Sequence, residues 1–189
     1  LREHILTTET MSHHVEKSRK AFAKAAMSPD DEASISNYLY RTGIDHLLSN
    51  NQVDDARAKV LDLDHLDKMF KLGKQNLDIL QYWLKIGDDS QGQGYIESVN
   101  KYLERDLNED HLNIILNALD LCFSSGWHSS GLNLAQIITK ASINILGNDH
   151  SNTLISKNNL ALFLFDERTY QEAETLYREL LDSRIRISG

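Results

Sequence analysis

The last stretch of the chain, residues 148–189, constrains the possible folds more than any other. It contains two segments in which apolar residues recur at spacings of three and four, the period of one face of an α-helix. Those residues are Leu154, Leu160, Ala161 and Leu164 in the first segment, and Tyr170, Ala173, Leu176, Tyr177, Leu180 and Leu181 in the second. A four-residue turn, 166–169, separates the segments, so we predict an antiparallel helical hairpin whose small residues Ala161 and Ala173 allow close packing.

A weaker copy of this pattern lies upstream, because a shift of 42 positions pairs apolar with apolar and small with small residues. The shift pairs Phe123 with Phe165, Gly131 with Ala173, Leu134 with Leu176, and Ile138 with Leu180. An Asp-His dipeptide at 110–111 recurs only 39 positions later, at 149–150, so we expect the earlier unit to be three residues shorter near its first helix. The sequence thus predicts a degenerate repeat at 108–147 and a clear repeat at 148–189.

The clear repeat resembles a tetratricopeptide repeat (TPR) of the kinesin-light-chain-like kind. The residues that carry the resemblance are Leu160, Ala161, Tyr170, Ala173 and Tyr177. Three residues depart from the family pattern: Arg168 at the usual turn glycine, Leu180 at a small alanine, and Ile185 where shorter repeats carry proline. The resemblance covers 42 of 189 residues directly and implies an all-α, right-handed solenoid of TPR-like helical hairpins.

The chain upstream of the repeats is expected to be helical as well, since it contains one proline and few β-branched runs. We predict an N-terminal helix, partly frayed, over 1–27, a helical linker or capping block over 28–94, and the repeats over 95–189. Ser28 and Pro29 are typical of a helix start, and the loop-like, Gln- and Gly-rich stretch 88–94 is the best candidate for a hinge or a domain boundary. A solenoid needs about three repeats, so the upstream block is expected to act as a cap.

Residues 38–72 show a looser resemblance to the helical linker of signal-transduction ATPases with numerous domains, the STAND class. The resemblance depends on the spacing of the predicted helices and on the short sequences at residues 38–41, 46–48, 54–56 and 61–64. The resemblance implies a linker that joins a nucleotide switch to a repeat array. Because the chain begins without Met and stops at a repeat boundary, we expect it to be part of a larger regulatory protein.

Composition indicates the compartment in which the chain is expected and the classes of partner that it is expected to bind. The net charge of −8 argues against nucleic acid as a partner, and no apolar run approaches the roughly 20 residues that a membrane helix needs. A single cysteine, Cys122, excludes an internal disulfide and favours a reducing compartment, so we expect a cytoplasmic location. Cys122 follows Leu121 and precedes Phe123, which favours a buried, inert thiol over a reactive one.

Motifs for catalysis are missing from the sequence. The histidines lack the spacing of a helical zinc pair, and residues 91–94 lack the Lys-Ser/Thr of a phosphate loop, so we expect no metal, no cofactor and no enzymatic activity. Asp62, Asp64 and His65 lie close together in sequence, where a helix cap is a better interpretation than a ligand set. Trp127 and His128 are interpreted as a plug between repeats, with a groove lip as the alternative.

The TPR resemblance implies that first helices line an inner wall that binds peptides. It places five residues on that wall and one, Lys157, at its rim; the five are Ile155, Asn158, Leu162, Phe165 and Asp166. A carboxamide both donates and accepts hydrogen bonds, so Asn158 is suited to a peptide backbone, although a plain surface role stays open. One repeat earlier, Leu116 aligns with Asn158, so a polar residue does not recur at this position from repeat to repeat.

The sequence therefore predicts a non-catalytic scaffold that binds a protein or a peptide. The alternative is a structural linker or oligomerisation module of a STAND-type ATPase whose catalytic part lies outside this chain. Self-association is expected to use the apolar residues of the last helix, namely Leu176, Leu180, Ile185 and Ile187.

Overall fold

A computed structural model describes residues 15–21, 24, 33–105 and 107–188 of the chain. These residues form α-helices and turns, and no strand occurs among them, which confirms the predicted all-α class. The helices from residue 33 onward are α1 (Ala33–Ser49), α2 (Val53–Leu61), α3 (Leu63–Lys71), α4 (Asn76–Ile86), α5 (Gln91–Leu103), α6 (Glu109–Ser124), α7 (His128–Leu146), α8 (Ser151–Asp166) and α9 (Tyr170–Ser188). Within these ranges no helix has the length and apolarity needed to cross a membrane.

The predicted first helix is only partly covered by the described residues, of which 15–21 and 24 are helical. The start signal at Ser28 and Pro29 lies outside the described residues. The helix cap predicted around Asp62 is confirmed, because its carboxylate accepts hydrogen bonds from the backbone amides of Asp64 and His65 at the start of α3. An aspartate in this position satisfies amides that have no partner within the helix.

The chain forms two compact units, Leu1–Asp88 and Asp89–Gly189. In the first unit α1 packs against α2, α3 and α4, and fully buried side chains such as Leu47, Leu66 and Trp83 fill the core. Tyr82 donates a hydrogen bond to Asp45 at 2.9 Å and ties α4 to α1.

The second unit consists of α5 and two helical hairpins. Helix α6 packs against α7, α8 packs against α9, and α8 also contacts both α6 and α7. The buried side chains lie between these helices and include Leu112, Ile115, Leu119, Leu134, Ile138, Ala161, Phe163 and Ala173. The predicted TPR-like array of antiparallel hairpins is thereby confirmed in this unit.

The stretch 88–94, predicted to be a loop, is helical from Gln91 onward. Gly92 lies in the first turn of α5, and a Cβ atom added there would stand 2.5 Å from the Cβ of Ser130 on α7. This glycine therefore allows two helix backbones to approach closely rather than breaking a helix. Only the residues between α4 and α5 are left as a connection.

The two hairpins follow a uniform register of 42 residues. Helix α6 begins at Glu109 and α8 at Ser151, and both α7 and α9 begin and end 42 positions apart as well. The prediction that the earlier unit is three residues shorter is therefore wrong. The Asp-His echo misled it because the two histidines are not equivalent: His111 is the third residue of α6, whereas His150 caps α8 from outside.

The turns of the two hairpins share one backbone conformation. Gly126 has a φ angle of 72° and Arg168, 42 positions later, has a φ angle of 63°. Arg168 is thus a non-glycine residue in the left-handed region, where a side chain costs about 1–2 kcal/mol. The backbone NH groups of Arg168 and Thr169 bond to the carbonyls of Phe165 and Leu164, which holds the turn in place.

Candidate protein-interaction surface

The last hairpin buries less of its apolar pattern than the sequence predicts. Ala161 and Ala173 are buried where α8 and α9 meet, as expected, and Leu180 is buried as well. By contrast, Tyr170 is 54% exposed and Leu181 is 58% exposed. These side chains lie on the border of the packed face, so helical period alone did not separate them from the residues that pack.

The exposed side chains line a groove on α9, here called the C-terminal groove. It has a volume of about 560 Å³ and is lined by Phe165, Tyr170, Ala173, Glu174, Tyr177, Arg178 and Leu181. The rings of Phe165 and Tyr170 meet edge to face, with their centroids 5.2 Å apart. An exposed groove with aromatic and aliphatic walls is typical of a surface that binds another apolar group.

Charge in the C-terminal groove is confined to one ion pair. The guanidinium of Arg178 donates to Glu174 at 2.6 Å, one helical turn away, and both side chains are largely exposed. Because the pair is exposed, it contributes little to stability. It gives the apolar groove a polar edge.

The five residues expected on an inner wall share one side of α8 by helical spacing, here called the α8 face. Ile155, Phe165 and Asp166 are exposed, whereas Asn158 and Leu162 are half-buried. The α8 face meets the C-terminal groove at Phe165, which belongs to both. Peptide binding by the α8 face stays a prediction.

Lys157 lies on a different side of α8 from the other candidates. Its side chain is buried, and its Nζ donates a hydrogen bond to the Oδ1 atom of Asn148 at 3.2 Å. Lys157 therefore holds the start of the hairpin instead of standing at the rim. A helix carries residues two positions apart on nearly opposite sides, which explains why Lys157 does not share the side of Ile155.

The junction between the two hairpins contains polar contacts as well as apolar ones. His128 Nδ1 lies 3.4 Å from Asp166 Oδ2, so Asp166, one of the five residues of the α8 face, already has a partner within the chain. Asn152 donates to the Oδ1 atom of Asn113 at 3.0 Å. Trp127 stacks on Tyr95 of α5, the helix before the two hairpins, with ring centroids 6.1 Å apart; its role as a plug between repeats stays a prediction.

Among the described residues, the titratable groups whose pKa is most shifted are buried in the cores of the two units. Burial raises the pKa of the Cys122 thiol to about 12, so the thiol is protonated and poorly nucleophilic at neutral pH. Burial, with a contribution from the charge of Lys59, lowers the pKa of His65 to about 4, although Asp62 acts in the opposite direction. In the described ranges, no group of three or more His, Cys, Asp or Glu side chains is arranged to hold a metal ion.

Sequence reasoning did not identify most of the C-terminal groove. The sequence predicts packing within the hairpin for Tyr170, Ala173, Tyr177 and Leu181. The repeat register contained a usable signal. Tyr177 and Leu181 align with Ala135 and Thr139, and such an increase in size at an equivalent position indicates a different environment.

Neither a family model nor a curated protein matches the chain. Two solved structures are similar at 14% identity, covering 96% of this chain and 90% of theirs, with TM-scores of 0.46 and 0.45. Both are of a candidate kinesin light chain with nearly identical TPR-like repeats from Podosopora anserina, one of them a single-substitution variant.

Proposed function

We propose that this chain is a non-catalytic protein-interaction scaffold and that the C-terminal groove is its principal docking surface. The observation that carries the proposal is the exposure of four large apolar side chains around one groove: Phe165, Tyr170, Tyr177 and Leu181. Removing apolar surface from water contributes about 25 cal/mol per Å², so covering these side chains favours association.

The chemistry of the groove supports binding over catalysis. Among the described residues that line it, the charged ones are Glu174 and Arg178, which are bonded to each other and largely exposed. A catalytic acid or base needs a perturbed environment and a positioned partner, and neither residue is placed against a third polar group of the groove. The groove is built to bind apolar side chains.

A displayed-peptide selection on the full chain tests the proposal. Leu181→Asp places a charge in the groove, while Leu84→Asp is the matched control because Leu84 is an 82% exposed leucine of α4, in the other compact unit. We expect selected peptides to bind the wild type and Leu84→Asp equally, and to bind Leu181→Asp at least about 30-fold more weakly, the loss of a hot-spot residue. Failure to enrich any binder, or binders that tolerate Leu181→Asp, contradicts the proposal.

Self-association is the second candidate function, since the end of α9 is apolar and exposed. Ile185 is 62% exposed and Ile187 is 56% exposed, whereas Leu180 is buried and Leu176 half-buried, so only the first two are free to contact a second molecule. Analytical ultracentrifugation over a range of concentrations tests this function. We expect any dimer to dissociate in Ile185→Asp; a monomer at all concentrations rules self-association out.

The finer predictions about the parent protein rest on sequence alone. Two of them are that the chain is a linker or oligomerisation module of a STAND-type ATPase, and that it is cytoplasmic; the first depends on sequence patterns and the second on composition. The flanking gene sequence tests the first directly, through the presence or absence of a nucleotide-binding strand, loop and helix.

A further inference from the structure

We draw no further inference here: the strongest candidate, the C-terminal groove on α9, belongs to the surface already proposed for docking, and nothing in the structure shows what covers it.

Discussion

Gly131→Ala is the sharpest test of how the two hairpins pack. A Cβ atom at residue 131 would lie 2.2 Å from Cε1 and 2.4 Å from Cζ of Phe163, whereas unstrained carbon contacts need about 3.5–4.0 Å. The ring is fully buried and has little room to move. Overpacking of this kind costs about 1–3 kcal/mol, while replacing a helical glycine by alanine contributes about 1 kcal/mol in the other direction.

We therefore expect Gly131→Ala to lower the free energy of unfolding by up to about 2 kcal/mol, measured by urea denaturation followed by circular dichroism. Phe163→Leu provides space for the added methyl group, so the double variant should be more stable than the sum of the single changes by about 1 kcal/mol. A Gly131→Ala protein more stable than the wild type would show that helix propensity outweighs the steric overlap with Phe163. Additive single changes would show that the two residues do not touch.

Three further predictions address other parts of the chain. Arg168→Gly removes a side chain from a residue in the left-handed backbone region. After subtraction of the extra conformational freedom of glycine in the unfolded chain, it should raise the free energy of unfolding by about 0.5–1 kcal/mol in urea denaturation. A loss of stability would contradict this. The pKa of His65 is about 4 in the folded state and 6.5 in the unfolded state, so the unfolded state binds a proton first as pH falls. The free energy of unfolding should therefore decline by up to about 3 kcal/mol as the pH falls from 6.5 to 4. His65→Gln should lack this part of the pH dependence of stability. Cys122 should react with a maleimide at pH 7 only after unfolding in urea, and rapid labelling of the native protein would refute its burial.

The sequence predicted the hairpin architecture well because one repeat unit determines it. Periodic apolar residues and a small residue such as Ala173 at the helix crossing specify the hairpin locally, and the bounds of α8 and α9 follow from them. The error in register arose from the Asp-His dipeptide. Two polar residues at helix starts are weak markers of alignment, whereas apolar and small positions are fixed by packing.

The C-terminal groove was beyond sequence reasoning for a different reason. Periodicity identifies the apolar side of a helix, but among the described helices α9 packs mainly against α8, so one neighbour accounts for most of the packing on that side. Whether Tyr177 or Leu181 is buried depends on which helix lies opposite, and that is a property of the tertiary structure. For the same reason Lys157, a charged residue expected at a rim, is found buried with its Nζ bonded to Asn148.

The α8 face illustrates what the pattern specifies and what it leaves open. Ile155 and Phe165 are exposed on one side of α8, where the spacing put them. Their exposure shows that the surface is accessible and says nothing about a ligand. Asn158→Ala in a peptide-binding assay separates a groove role from surface polarity, since only the first predicts weaker binding.

The most direct measurement is the affinity of one selected peptide for three proteins: the wild type, Leu181→Asp and Leu84→Asp. The account predicts that Leu181→Asp binds the peptide at least about 30-fold more weakly, whereas Leu84→Asp binds it as the wild type does. Equal binding by all three proteins would contradict the account.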